Sequence, residues 1–534
     1  MNRITLCGIL GVLAIATIAA GNTFRYNVPN RQKEEDVNHW SQLGLQEITS
    51  RRRFIPNTRK ARNLILFLGD GMGPSTVTAA RIYKGQRVLN VSGEEATLTW
   101  DEFPHVSLSR TYGLDVQTSD SANTATAYLC GIKANFETLG VNYKIKSRTC
   151  HSDASTHVPS IMAWAQKEGL WTGLVTTTRV THATPAGSYA HSGHRDWEAD
   201  VPQDCSAKDI AQQLVQDSPG LGFKVIMGGG RKMFLGKNAK DDEGMPGVRS
   251  DDKDLIKEWM DSKKAEGNAA YIWNRTQLLA LDTQKTDFVL GLFANNHVPY
   301  AIDRMNLSER APSLPEMTSA AIRILNRSPR GFVLLVEGGR IDHGHHDNKA
   351  AYALEETVEL DQTVAETKEF LGTNETLIVV TADHSHVFSV GGYPERGKNI
   401  LGISSYSDID HYPVTTLGYA NGPGYNETKV NYTDYEATDP HFVQRTTFPL
   451  TLETHGGEEV AVYAEGPWAH LFSGVHDQSY IPHAMAYAAC IGQFADDKCQ
   501  LSNSATLPGM SVYGALAVAL AHISYMLSSC RPPF

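Results

Sequence analysis

Acidic residues and histidines gather at a few places in this chain, with spacings suited to holding cations. The run Glu337-Gly-Gly-Arg-Ile-Asp342-His343-Gly-His-His346-Asp347 sets Asp342 and His346 four residues apart. On a helix that spacing puts both on one face, as zinc ligands are often arranged. Asp383-His384-Ser-His386 follows an apolar run directly, and Thr454-His455-Gly-Gly-Glu458 presents a histidine before two flexible glycines. A single Asp-His pair is more often a surface turn, but three such clusters beside predicted strands are hard to read that way. Mixed imidazole and carboxylate sets suit Zn²⁺, and all-oxygen sets suit Mg²⁺. A nucleophile is offered by Asp120-Ser121-Ala-Asn-Thr-Ala-Thr-Ala127. This run reads as a helix N-terminus with Ser121 exposed near the cap. A serine there is usually only a capping residue, yet a helix N-terminus also stabilises phosphate.

The elements that must position these groups are legible as short apolar runs without alternation, bounded by turn residues, at 63–72, 171–179, 223–230, 332–340 and 376–386. Such runs are buried parallel strands. Helical patterns lie between them at 155–168 and 349–370. Strand, helix, strand is the order of a doubly wound α/β sheet, whose ligands bind at the carboxyl ends of the strands. The first run ends in Asp70, the fourth in Glu337 and the fifth in Asp383-His384. Three acidic strand ends in one crevice would repel one another unless cations fill it. Residues 399–452, richer in Gly, Pro, Tyr and Thr, read as a surface insertion.

The 534 residues are 41% hydrophobic with a formal net charge of −11, which excludes a disordered chain and argues against a nucleic-acid binder. Arg3 followed by an apolar run from Ile4 to Ala20 has the form of a secretory signal peptide over 1–20, with a retained signal anchor as the alternative. At the other end, small residues around Asn503 precede a weak apolar tail interrupted by His522. This reads as a GPI-anchor signal, removed over 504–534, with attachment at Asn503 or a small neighbour; a single-pass helix is the alternative. The mature body, 21–503, is then expected outside the cell. Seven N-x-Ser/Thr sequons agree: Asn90, Asn274, Asn306, Asn326, Asn374, Asn426 and Asn431. Outside the two ends five cysteines remain. Cys490 and Cys499 are close enough for one disulfide loop, Cys150–Cys205 is the next bridge, and Cys130 is left reduced and buried.

Longer motifs carry a resemblance. Phe67-Leu-Gly-Asp-Gly-Met-Gly73, Asp120-Ser-Ala with its Thr-Ala-Thr-Ala, the stretch 176–191, 336–346, 381–393 and 453–467 together resemble the alkaline phosphatase family, in its animal, membrane-anchored branch. The resemblance covers about 37–499. It implies a large, mostly parallel central sheet with helices on both faces and a small crown-like insertion over 391–453. It implies a homodimer acting on small phosphomonoesters through phosphoserine at Ser121. It also implies two Zn²⁺ and one Mg²⁺ per subunit. Asp342, His346 and His455 match the ligands of the first zinc. Asp70, Asp383 and His384 match those of the second, and Asp70, Thr184 and Glu337 those of the magnesium. Arg195, in His194-Arg-Asp-Trp197, matches the arginine that holds two phosphate oxygens. His182, His343 and His386 match outer-shell histidines. Thr184 and Arg195 come from the resemblance alone.

Departures are few. Asn123 stands where relatives often have a small residue. Ala294 follows Phe293 where vertebrate members have Glu, and Ser308 stands where Asp is expected, leaving Glu243. Two lost carboxylates argue against the Ca²⁺ site of vertebrate members. A sulfatase would need a Cys-x-Pro-x-Arg nucleophile, which is absent. A related phosphodiesterase would usually use Thr and lack Arg195, and a non-catalytic surface receptor would have lost a ligand or Ser121.

Overall fold

The computed structural model describes residues 25–150, 152–304, 311–496 and 499. The predicted signal peptide, Asn306, Ser308, Asn503 and the tail 504–534 lie outside these. Among the described residues no helix is long and apolar enough to cross a membrane.

The ten strands of the central sheet are, in chain order, β1 (Asn63–Gly69), β2 (His105–Arg110), β3 (Trp171–Arg179), β4 (Val225–Gly229), β5 (Ala269–Ile272), β6 (Phe288–Leu292), β7 (Phe332–Gly338), β8 (Thr376–Ala382), β9 (Val460–Glu465) and β10 (Gly474–Asp477). Their spatial order is β10-β2-β9-β8-β1-β7-β3-β4-β6-β5. From β8 to β5 every pairing is parallel, and β9 runs antiparallel to both its neighbours. β1 feeds alternate side chains to two cores: Leu64, Leu66 and Leu68 enter one, Ile65 and Phe67 the other. This is why its sequence is apolar without a break. Helices Ser121–Cys130 and Ile161–Lys167 contribute to the first core, Leu314–Leu325 and Ala350–Leu371 to the second. The sheet is thus sandwiched, as expected.

The sequence reading needs correction at its edges. The helix expected from 155 begins only at Ile161, because Pro159 disfavours helical geometry before it and Ser160 caps the start. β2, β5, β6, β9 and β10 are strands the apolar-run criterion passed over. In β2, polar residues alternate with exposed Val106 and Leu108, and β5 is only half-buried. Between 388 and 450 the chain forms two-stranded pairs away from the central sheet, with a small core of Ile403, Tyr432 and Ala437.

Candidate metal centre and active site

β1 lies between β8 and β7, so the ends of these three strands are neighbours. Asp70 follows β1, Glu337 sits at the end of β7, and Asp383-His384 follows β8. All four are fully buried. Gly71 makes the turn after Asp70 at φ +70, and any Cβ there would lie 2.3 Å from His386 Nε2. Its N–H donates to Asp383 Oδ1 at 2.9 Å.

Immediately after β7 comes the short helix Arg340–His346, which realises the i, i+4 pairing of Asp342 and His346. Thr177 Oγ1, from β3, accepts from the N–H groups of Gly339 and Arg340 at 3.0 and 3.2 Å and so caps that helix from another element. His346 Nε2 is 3.3 Å from Asp342 Oδ1, His455 Nε2 is 3.5 Å from the same oxygen, and the two imidazole nitrogens are 3.2 Å apart. Donor atoms about 2.1 Å from a shared tetrahedral metal lie roughly 3.4 Å from one another. The trio therefore fits one zinc.

A second set surrounds Ser121. Its Oγ lies 3.3 Å from His384 Nε2 and 3.4 Å from Asp70 Oδ1. His384 Nε2 is in turn 3.2 Å from Asp383 Oδ2 and 3.6 Å from Asp70 Oδ1. These spacings again fit a shared tetrahedral ion, with the hydroxyl as fourth donor. Asp70, Asp383 and His384 form one candidate metal group, and Asp70, His182 and Glu337 another. At the latter, Asp70 Oδ2, Glu337 Oε1 and Thr184 Oγ1 are buried without a hydrogen-bond partner. Three orphaned oxygens in a protein interior are costly unless a hard cation takes them. Glu337 Oε2, by contrast, is engaged by the hydroxyls of Thr176 and Thr178.

Electrostatics agree. Burial, together with repulsion from Asp383, Asp342 and Glu337, holds Asp70 well above the usual carboxylate range. Burial pushes Glu337 up to about 7 and also raises Asp383. Asp342, although buried, is drawn well below the usual range by His346, His386 and His455. Burial keeps His346 neutral, down to about 4, and His343 down to about 3. Neutral imidazoles and carboxylates that resist unbalanced charge form a metal-accepting set.

Ser121 departs from the sequence reading in one respect. It is not exposed but 1% accessible, and it stands at the first position of helix Ser121–Cys130, whose cap is Asp120. Asp120 accepts from the N–H groups of Ala122, Asn123 and Glu137 and from Arg195 Nη1 at 3.0 Å. One carboxylate thus ties Arg195 to the serine's helix. Sequence reasoning gave Asp120 no role, though its place directly before Ser121 is the signature of an N-cap. Arg195 Nη2 lies 3.2 Å from His182 Nε2, and the rings of His182 and His343 meet edge to face, 5.5 Å apart. His386 Nε2 is 2.9 Å from Asp342 Oδ1. Sequence reasoning also passed over Glu453, which contacts His386, and Gln478, which donates to the Asp383 carbonyl at 2.7 Å. Both amide atoms of Asn123 are buried and unpaired.

Glu243, the remaining carboxylate of the doubtful calcium set, is paired with the buried guanidinium of Arg231, which also binds Asp241 at 3.1 Å. A fixed cation already occupies these carboxylates, so they do not fit a calcium ion. The cysteines pair as Cys150–Cys205 and Cys490–Cys499, and Cys130 is free and buried.

Residues 61–491 match the alkaline phosphatase family model. The chain is 50% identical over 480 residues to the tissue-nonspecific alkaline phosphatase of Gallus gallus, covering 87% of this chain and 91% of that one. It is 46% identical over 531 residues to the corresponding isozyme of Homo sapiens, covering 96% and 97%. Its fold is similar to that of the Thermus thermophilus alkaline phosphatase, with a TM-score of 0.59 at 24% identity over 81% of this chain and 92% of that one. With the strand-end carboxylates, the imidazoles and the serine gathered as described, the chain belongs to the alkaline phosphatase family of metal-dependent phosphomonoester hydrolases.

Proposed function

We propose that this protein hydrolyses phosphate monoesters to an alcohol and inorganic phosphate through a phosphoserine on Ser121. The observation that carries this reading is the position of Ser121 Oγ, within 3.4 Å of both His384 Nε2 and Asp70 Oδ1 at a helix N-terminus. Asp342, His346 and His455 would hold one Zn²⁺, and Asp70, Asp383 and His384 a second. Asp70, Thr184 and Glu337 would hold one Mg²⁺. When bound, these cations supply Lewis-acid charge for the phosphoryl and leaving oxygens and lower the pKa of the serine hydroxyl.

The chain's own residues do the rest. Ser121 Oγ forms a bond to phosphorus in line with the departing alcohol oxygen, whose bond to phosphorus breaks, and the proton lost by the serine leaves on that oxygen as the alcohol. Arg195, fixed by Asp120, presents a planar fork to two non-bridging oxygens. The helix N-terminus adds its partial positive charge. Water then forms the new bond to phosphorus while the Ser121 Oγ–P bond breaks; one proton of that water goes to the serine oxygen and the other leaves with the phosphate. His182 and His343 shape the surroundings of the magnesium cluster, and His386 orients Asp342.

The reading extends to the setting. A signal peptide over 1–20 and GPI attachment near Asn503 would place the enzyme on the outer face of the plasma membrane. Asn90, Asn326, Asn374, Asn426 and Asn431 are exposed, which supports glycosylation. Helix Val37–Arg53 has no buried residue and exposes Val37, Trp40, Leu45 and Ile48. A bare apolar stripe of this kind supports a homodimer.

The test is hydrolysis of p-nitrophenyl phosphate by wild type and Ser121→Ala, with and without a chelator, beside acid-quench trapping of labelled phosphate. Ser121→Ala is expected to lose at least about 10³-fold in kcat and all trapped label. Label retained elsewhere, or activity indifferent to chelation, would overturn the mechanism.

A further inference from the structure

Glu453 is a carboxylate only 1% accessible, and its contacts converge on the first metal cluster. Its N–H donates to the His346 carbonyl at 3.0 Å. Its own carbonyl accepts from His346 Nδ1 at 2.6 Å. A carbonyl can only accept, so Nδ1 of His346 carries the proton and the Nε2 lone pair faces Asp342 Oδ1 and His455 Nε2. Through its side chain, Glu453 Oε2 meets His386 Nδ1 at 2.5 Å, and the far nitrogen of that ring meets Asp342 Oδ1 at 2.9 Å. His386 and His455 face each other in a two-residue antiparallel ladder, which keeps Glu453, two residues before His455, within reach of the His386 ring.

We propose that Glu453 is a positioning residue for the first metal cluster. Its carbonyl sets the tautomer of His346. Its carboxylate clamps the His386 ring, which in turn holds the metal-facing oxygen of Asp342. The chain Glu453–His386–Asp342 thereby fixes one carboxylate oxygen and one imidazole at once, which neither the helix Arg340–His346 nor the loop before β9 could do alone. Removing such an outer partner typically costs 10- to 100-fold in metal affinity. This rests on the reading of Asp342, His346 and His455 as zinc ligands.

The experiment is zinc competition against a chromogenic chelator, on the full chain, for wild type, Glu453→Ala, Glu453→Gln, His386→Ala and the double variant Glu453→Ala/His386→Ala. The visible absorption of each cobalt-loaded protein is recorded alongside. Glu453→Ala is expected to weaken one zinc by about 10- to 100-fold. Glu453→Gln, which keeps the shape and an acceptor, should fall between, and both should shift the cobalt bands. The double variant should bind no more weakly than His386→Ala, because Glu453 acts through that ring. Wild-type affinity and cobalt bands in the Glu453 variants would overturn the proposal, as would a loss that adds in full to that of His386→Ala. If Glu453→Ala does not fold, Glu453→Gln decides alone. A wild-type protein that takes up no zinc would instead bring down the reading of the cluster itself, and this inference with it.

Discussion

Arg195 is worth more than its charge. Its guanidinium binds Asp120 with one terminal nitrogen and meets His182 with the other. Arg195→Lys keeps the charge but loses the planar pair of donors. A drop of about 10- to 100-fold in kcat/KM is expected, from one lost charge-assisted hydrogen bond; steady-state kinetics on a phosphomonoester checks it. Glu337 carries a pH signature. Its folded value, about 7, lies above its ordinary one. In the metal-free protein the stability tied to this proton is present at low pH and is lost as pH rises through about 7. A cation needs the ionised form, and His346, already neutral above about 4, does not limit binding there. The gap in melting temperature between metal-loaded and chelated protein should therefore widen from pH 5.5 to 8.5. Glu337→Gln should reduce that widening only in part, because burial raises Asp70 and Asp383 as well, and a gap unchanged with pH in wild type would sink the idea.

At the scale of elements, a seven-residue helix must hold Asp342 and His346 in place, and it lacks a side-chain cap of its own. Thr177, at the end of β3, supplies one from outside. Thr177→Val preserves the shape and leaves two N–H groups without their acceptor, so a loss of about 1–2 kcal/mol is expected. Zinc should be released faster to a chelator as well. Denaturant unfolding and metal release measure the two effects separately. The positions of the acidic strand ends were legible because buried parallel strands are continuous apolar runs and the residue after each run is conspicuous when charged. The cap from Thr177 was not legible, since the hydroxyl and the N–H groups it serves are 162 and 163 residues apart in sequence. β2 and β9 were illegible for a different reason: they lie toward the edge of the sheet, where one face is partly open and the apolar signal alternates.

For the whole molecule, cross-links hold the chain around the centre. Cys150–Cys205 closes a loop with a sequence separation of 55, and Cys490–Cys499 one of 9. In the chain-entropy account the first contributes about 4 kcal/mol and the second about 2.6. Cys150→Ser should therefore lower the unfolding free energy more than Cys490→Ser, and equal losses would argue against loop entropy as the cause. If the bare helix Val37–Arg53 joins two copies, deletion of 25–53 should shift the sedimenting species from dimer to monomer. Retention of the dimer without that segment would assign the interface elsewhere.

The sequence by itself determined the alternation of apolar runs and helices, and hence the doubly wound sheet. It also determined the chemical type of the site, because Asp, Glu and His collected at strand ends have few uses other than binding cations. It supplied the pairing of Asp342 with His346, since four residues on a helix is a local distance. Only the tertiary structure decided which donors face the same ion. Ser121 and His384 are 263 residues apart in the chain, and 3.3 Å apart from Oγ to Nε2. It also decided that Arg231 fills the carboxylates around Glu243, that Asp120 joins the serine's helix to Arg195, and that Glu453 reaches Asp342 through His386. Each of these depends on the order in which parallel strands lie side by side. That order follows from packing two apolar faces at once, and no local stretch of sequence encodes it.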